Sequence, residues 1–305
     1  MLHLVVNPVA GRGRVLPHLD GLVRSLEAAG LTTTVHRTER PRHATQIVMG
    51  MPDGAVPVAV GGDGTVHEVA AACLRRGLIM GIVPSGSGDD FAFALGMDRF
   101  DVPAAVRTLA EGAVRRVDVG LVDVGLADGG VVAGEAFVNS FGTGFDADVA
   151  RRIEHAPGWY RGLGRYLHGI VSAMRHFQLR DVRVEVDGRE AYAGPSLLVG
   201  IQNGPRAGGS FLFAPTASPD DARFDVVVAG SFGRLGTLGV LPRVMRGTHL
   251  THPRIHALRG HDVRVQWSDA VVGHVDGEVF DRPAATFAVA LRAAALGVLA
   301  PNGVR

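Results

Sequence analysis

The sequence predicts an α/β lobe built on a parallel sheet, followed by a lobe that is a mainly antiparallel β-sandwich. Up to about residue 118, short apolar runs alternate with helix-period segments, as in parallel sheets with crossover helices. Beyond that point, β-rich runs follow one another between Gly, Pro and Asp, as in antiparallel sandwiches. The length of 305 residues allows two domains, at roughly 100–200 residues each. The expected division is 1–118 and 119–305, with the last residues returning to the first lobe.

In the first lobe, the apolar run Leu2–Val6 reads as a strand that stops at Asn7-Pro8. Leu16, Leu19, Leu22, Val23 and Leu26 share one face of a helix over about 15–29, and Gly30 is a plausible C-cap. Residues 32–36 read as a second strand and 44–51 as a helix. Val56–Val60 is a buried strand running into Gly61-Gly62. Val66–Arg76 reads as a helix, and Ile79–Val83 as a strand ending at Pro84. In the second lobe, strands are expected over 117–124, 131–140, 182–186, 196–202, 224–229, 263–267 and 286–291. Two helical inserts are expected, over about 158–177 and 235–245.

Composition narrows the function classes. With 47% hydrophobic and 20% charged residues, the chain is expected to be globular. Lys+Arg 31 against Asp+Glu 30 leaves a net charge of +1, which points away from nucleic acid as a partner. Every basic side chain of the Lys/Arg class is arginine, so a mechanism needing a phosphate-binding lysine is excluded. The single cysteine, Cys73, excludes an internal disulfide and a multi-cysteine zinc site, and suits a reducing cytoplasm. The start reads as a strand and not as a signal peptide. No apolar run approaches the roughly 20 residues of a membrane span.

Three glycine-bearing turns follow strands. Gly61-Gly62-Asp63-Gly64-Thr65 lets backbone approach a ligand closely and opens a helix whose N-terminal amides favour an anion. Asp63 would repel a phosphate, so a bridging cation or a hydroxyl partner is implied. Pro84-Ser85-Gly86-Ser87-Gly88-Asp89-Asp90-Phe91 suits either phosphate contact or a helix cap. Asn7-Pro8-Val9-Ala10-Gly11-Arg12-Gly13 is a third turn at the same sheet edge. Their convergence on one crevice is more specific than any one of them. No GxxxxGK[ST] loop occurs, and Gly11-Arg12-Gly13 lacks the third glycine of a dinucleotide fingerprint.

Taken together, these residues resemble the diacylglycerol kinase catalytic-domain family, which includes bacterial soluble lipid kinases and their sphingosine and ceramide kinase relatives. The resemblance spans nearly the whole chain. It includes Asn7-Pro8…Gly11, Thr38 with Ala44, GGDGT followed by Glu68, and the Pro84–Ala92 turn. It continues through Asn139…Gly142-Thr-Gly-Phe-Asp146, Asn203-Gly…Gly208-Gly, Ala214-Pro…Ala217, Asp220-Asp221 and Asp276-Gly277-Glu278. GGDGT is shared with NAD kinases and phosphofructokinases, whereas the later motifs point to lipid kinases.

The resemblance implies phosphoryl transfer from ATP with Mg²⁺ to a lipid hydroxyl. It places the nucleotide against Asn7, Thr38, Gly61, Gly62, Asp63, Gly64, Thr65, Glu68, Ser87 and Asp90, with Asp63 essential for the phosphates and their metal. Glu278 is expected to accept the proton of the acceptor hydroxyl, with Asp276 coupled to it or to the metal. Asp221 is expected to hold a second, structural Mg²⁺ with the backbone carbonyls of Ser218 and Arg223. The chain departs from the family pattern at Ser87 for Thr, Asp89 for Asn, Phe93 for Arg and Ala222 for Gly. The rival readings are a kinase of a soluble substrate, of NAD kinase or phosphofructokinase type, and a non-catalytic lipid- or nucleotide-binding protein.

Between Arg151 and Arg183, arginines interleave with Trp159, Tyr160, Tyr166 and Phe177. This segment, like 235–245, reads either as a solvated helix or as a transient contact with a membrane surface. The expected location is therefore cytoplasmic, with peripheral membrane contact and a homodimer both left open. His249 and His252 are expected to be loop histidines, and Cys73 a buried core thiol.

Overall fold

The computed structural model describes residues 1–13, 15–111, 113–126, 129–154 and 163–302. The chain divides into two compact units: Met1–Asp118 with the residues from Ala294 onward, and Val119–Ala293.

The first unit runs β1 (Leu2–Val6), α1 (Val15–Ala28), β2 (Thr33–Arg37), α2 (His43–Met49), β3 (Val56–Gly61), α3 (Asp63–Arg76), β4 (Gly81–Pro84), α4 (Asp90–Ala94) and α5 (Val102–Glu111). Its sheet has the order β2-β1-β3-β4, and every pair is parallel. Parallel neighbours need crossovers, and the helices supply them. β1 is buried along its whole length, as expected of a strand covered on both faces. Leu19, Leu22 and Leu26 of α1 and Leu109 of α5 pack with Leu4, Val6, Val58 and Val60 in one core. Cys73 is buried in α3, and burial pushes its thiol up to about 12, which makes it an inert core group.

The second unit begins within β5 (Val114–Leu126). It continues through β6 (Val131–Phe137), β7 (Ser140–Gly144), α6 (Phe145–Glu154), α7 (Leu163–Met174), β8 (Arg180–Val186), β9 (Arg189–Ser196), β10 (Leu198–Gln202) and β11 (Phe224–Ala229). Then follow α8 (Arg234–Met245), β12 (Ile255–Gly260), β13 (Asp262–Val271), β14 (Gly273–Val275), β15 (Glu278–Val279) and β16 (Ala284–Leu299). Two six-stranded sheets, β12-β11-β10-β7-β14-β15 and β6-β5-β16-β13-β8-β9, make the sandwich. On β8 and β13, alternate residues are buried, so Val182, Val184, Val263, Val265 and Trp267 face Phe141, Val199, Ile201, Phe224 and Val226 across one core. β10 and β11 are buried at every position. Their second face is covered by Val149 of α6, Ile170 of α7 and Val240 of α8.

Several elements escape a period-based reading. The helix expected from Val66 begins at Asp63, so Asp63, Gly64 and Thr65 form its first turn. The strand expected over 131–140 is two strands broken at Val138-Asn139. Helices α5 and α6, and the short strands β12, β14 and β15, are also present. Trp159 and Tyr160 lie outside the described residues. His249 is buried with Nε2 3.1 Å from the Phe213 carbonyl, and His252 packs on Phe232 at 5.0 Å.

Candidate active site

In the first unit, parallel pairing brings the strand C-termini to one edge, where ligands of open α/β sheets bind. Asn7 follows β1, Thr38 follows β2, Gly61-Gly62 ends β3, and Ser85 follows β4. The turns touch one another. The Asn7 side-chain amide donates to the Thr65 hydroxyl at 3.2 Å, and Asn7 Oδ1 accepts from the Val9 amide at 3.1 Å. The Thr38 amide donates to the Val6 carbonyl at 2.9 Å, which sets Thr38 beside Asn7. A Cβ on Gly62 would stand 3.0 Å from Gly86 Cα, and one on Gly11 would strike the Ser85 carbonyl. Glycine at these positions is a condition of the turns packing together.

Asp63 ties the turn after β3 to the turn after β4. Its Oδ2 accepts from the Asp89 amide at 2.8 Å and its Oδ1 from the Asp90 amide at 2.7 Å. Burial pushes the carboxyl up to about 7, helped by the nearby Asp90 and Asp89 carboxylates and opposed by the two amides. Asp89 has a left-handed backbone, with φ 55, and its carboxylate accepts from the Gly86 amide at 2.9 Å. Arg99 Nε lies 3.6 Å from Asp89 Oδ2, so the Asp89 charge has a guanidinium beside it. Asp90 is buried, whereas Ser87 is exposed between the buried Gly86 and Gly88. Gly62, at the N-cap of α3, offers no side-chain cap to the first-turn amides of Asp63, Gly64 and Thr65.

Glu68 is anchored to the loop after β2. Both of its oxygens accept backbone amides, Arg42 at 2.8 Å and Ala44 at 2.9 Å, and Thr45 Oγ1 donates to the Glu68 carbonyl at 3.1 Å. A carboxylate at the start of α2 satisfies orphan amides there. Glu68 thus fixes the loop after β2.

In the second unit, Asp276 and Gly277 have φ of 51 and 91 and make the two-residue turn between β14 and β15. This turn type needs positive φ at both positions, hence Asp-Gly. Asp276 Oδ1 accepts from the Asn139 and Ser140 amides, both at 2.9 Å, and Oδ2 from the Val138 amide at 3.0 Å. Asp276 thus braces the break between β6 and β7. Glu278, the first residue of β15, is exposed. Asn139 and Asn203, both buried, link the same break to the end of β10. The Asn203 side chain donates to the Val138 carbonyl at 2.7 Å, and that of Asn139 to the Arg206 carbonyl at 3.0 Å.

Sequence reasoning passed over His274. Its Nε2 lies 3.0 Å from Asp146 Oδ2, and its Nδ1 accepts the Gly277 amide at 3.2 Å. The available signal was a histidine two residues before the Asp-Gly-Glu turn.

At the expected second metal site, Asp221 Oδ1 accepts the Arg223 amide at 3.1 Å, and the Ser218 hydroxyl donates to Asp220 at 2.7 Å. Ala222 takes φ 57, a left-handed conformation usually given to glycine. Among the described residues, no three His, Cys, Asp or Glu side chains gather as a metal-binding group. The donors are nonetheless hard oxygens of the kind Mg²⁺ prefers: one carboxylate and carbonyls at this loop, and at Asp63 a carboxylate whose oxygens each keep a second lone pair.

The model of the diacylglycerol kinase catalytic domain matches residues 1–122, and that of the YegS C-terminal NAD kinase beta sandwich-like domain matches residues 139–300. A diacylglycerol kinase of Bacillus subtilis is 28% identical over 283 residues, covering 90% of this chain and 88% of its own. The crystal structure of a diacylglycerol kinase from Bacillus anthracis superposes with a TM-score of 0.72 at 20% identity, over 100% of this chain and 98% of that one. An NAD kinase from Archaeoglobus fulgidus in complex with ATP shares the fold with a TM-score of 0.57 at 13% identity, over 99% and 94% of the two chains. Two family models in tandem order, together with full-length relatives, show that the chain belongs to the diacylglycerol kinase catalytic-domain family of lipid kinases.

Proposed function

We propose that the protein transfers the γ-phosphoryl group of ATP to the hydroxyl of a lipid, diacylglycerol-like or sphingoid-like. In this reading, residues 1–118 bind nucleotide, with the last residues joining them, and 119–305 supply the acceptor side. The observation that carries it is the division of labour within Asp276-Gly277-Glu278. Asp276 is held by three amides, while Glu278 stands exposed at the end of the turn that Asp276 fixes. An exposed carboxylate on a braced turn suits a general base that takes the acceptor's proton as the oxygen attacks phosphorus.

The uncapped first turn of α3 offers amides to the phosphates in place of a lysine. Asn7, Thr38, Ser87 and the Gly61–Thr65 turn would line the nucleotide side, and Asp63 and Asp90 would hold its metal. Mg²⁺, when bound, neutralises charge on the phosphate oxygens. Asp221, with the carbonyls of Ser218 and Arg223, would hold the second ion and stiffen its loop.

A lipid acceptor also implies membrane contact. Leu167 and Val171 of α7 are 44% and 56% exposed, and Leu235 of α8 is 85% exposed beside Arg234, which suits a transient peripheral contact. Among the described residues, no helix is long and apolar enough to cross a membrane.

The test is transfer of radiolabelled γ-phosphate from ATP·Mg²⁺ to a panel of micellar lipids, with the Asp63→Ala and Glu278→Ala proteins alongside. We expect a labelled lipid with the parent protein and none with either variant. Turnover of a water-soluble acceptor without lipid, or full activity of the Asp63→Ala protein, overturns the proposal.

A further inference from the structure

We infer that His274 and Asp146 are positioning residues for Glu278, acting through the Gly277 amide; this rests on the kinase reading above. The Asp276-Gly277 turn holds two consecutive residues at positive φ, one of them not glycine, a conformation that neighbours must stabilise. Two side chains anchor it, beside the Asp276 amide that donates to the Ser140 carbonyl at 2.8 Å. One is the Asp276 carboxylate on the amides of 138–140. The other is the Gly277 amide on His274 Nδ1, at 3.2 Å. Glu278 is the next residue along the chain, so the second anchor holds the turn one residue before it.

The proton inventory of the imidazole follows from its partners. A backbone amide only donates, so Nδ1 must present its lone pair. The ring proton is then on Nε2, where Asp146 Oδ2 accepts it at 3.0 Å. Asp146 therefore selects the tautomer that receives Gly277, as carboxylates do for histidines elsewhere. The same geometry argues against His274 as the base, because its one basic nitrogen is occupied by the amide.

The surroundings are built for this pair. His274 is buried and lies opposite Gly142 across the β7–β14 ladder. A Cβ on Gly142 would collide with both the Asp146 carboxylate and the His274 imidazole. Glycine there is the opening through which the first residues of α6 reach the strand before the Asp-Gly-Glu turn.

Two substitutions separate the halves of the relay. In His274→Asn, the amide oxygen sits near the place of Nδ1 and can still accept Gly277, while the Asp146 bond is lost. In His274→Gln, the amide nitrogen approximates Nε2 and keeps Asp146, while the Gly277 acceptor is lost. We expect His274→Gln to lower kcat about 10- to 100-fold with the KM for ATP unchanged, since the damage is a misplaced carboxylate. His274→Asn should retain most of the parent's kcat. Assays would use ATP·Mg²⁺ and diacylglycerol in detergent micelles, with full-length protein.

In the ¹⁵N-labelled parent, nitrogen shifts should show an unprotonated Nδ1 and a protonated Nε2 at neutral pH. The Gly277 amide should exchange slowly in the parent and in His274→Asn, and quickly in His274→Gln. A protonated Nδ1, or equal kcat for the Gln and Asn variants, overturns the inference. Glu278→Ala keeps the two readings apart. If that variant stays active, the assignment of Glu278 fails, whereas the tautomer and exchange measurements still decide whether the relay exists.

Discussion

Asp63 and Asp276 perform one task in the two units and differ in what surrounds them. Each uses both carboxyl oxygens to hold backbone amides of a neighbouring turn, 89–90 for Asp63 and 138–140 for Asp276. Asp63 does so among acidic neighbours: burial, Asp90 and Asp89 push its carboxyl up to about 7. Asp276 does so in a turn whose exposed carboxylate, Glu278, is the group the turn presents. The difference teaches what each brace is for. In the proposed reading, the crowded Asp63 carboxylate would gain from a cation beside the phosphates, whereas the braced turn beneath Glu278 would fix where a proton is taken.

The sharpest break in that comparison is at the exposed group. Glu278→Gln should lower kcat by about 10²–10⁴-fold with the KM for ATP nearly unchanged, the usual range for loss of a general base. Steady-state kinetics on a micellar lipid would show it. Next in size, Asp63→Asn should raise the KM for ATP and lower kcat/KM about 100-fold or more, since the two turns lose their register. Its melting temperature should change little, because the lost amide bond is offset by relief of repulsion among three carboxylates.

Asp276→Asn should show the opposite balance. It places an amide nitrogen against backbone donors, at a cost of about 2 kcal/mol, seen as a drop of about 5 °C in melting temperature. Equal thermal losses in the two Asn variants would end the distinction.

A smaller effect is pH-dependent. The folded Asp63 carboxyl sits at about 7 against an ordinary 3.8. Its contribution to stability is therefore complete below about pH 4 and is lost as pH rises through 7. The melting temperature of the parent, measured without divalent cation, should fall between pH 5 and 8 relative to Asp63→Asn. Added Mg²⁺ should reduce that fall. The smallest expected change is at Ala222, where glycine removes the penalty of a Cβ at φ 57. Ala222→Gly should stabilise by up to about 1 kcal/mol, since the relief exceeds glycine's own entropic cost.

Much of the fold was legible because it rests on local rules. Strand and helix periods predicted α1, β3, β4 and β11 closely, since burial on one face repeats at short spacing. Short or fully buried elements were less legible. β14 and β15 are three and two residues long, too short for a period, and exist because β7 and the Asp276-Gly277 turn pair them. Helix α3 begins three residues earlier than its apolar pattern, because Gly62 and Asp63 form its end without contributing to its apolar face.

The candidate site divides along the same line. The sequence by itself determined which residue types stand where: glycines at the turns after β1, β3 and β4, Asp-Gly where positive φ is required, and oxygen donors in place of lysine. It did so because backbone conformation and donor chemistry are properties of single residues and near neighbours. Only the tertiary structure decided what those residues hold. The partners lie far away in the chain, Glu68 on the amides of Arg42 and Ala44, Asp276 on 138–140, and His274 on Asp146. A carboxylate's chemistry follows from which amides, ions and neighbours surround it once the chain is packed, and residue spacing alone does not encode that.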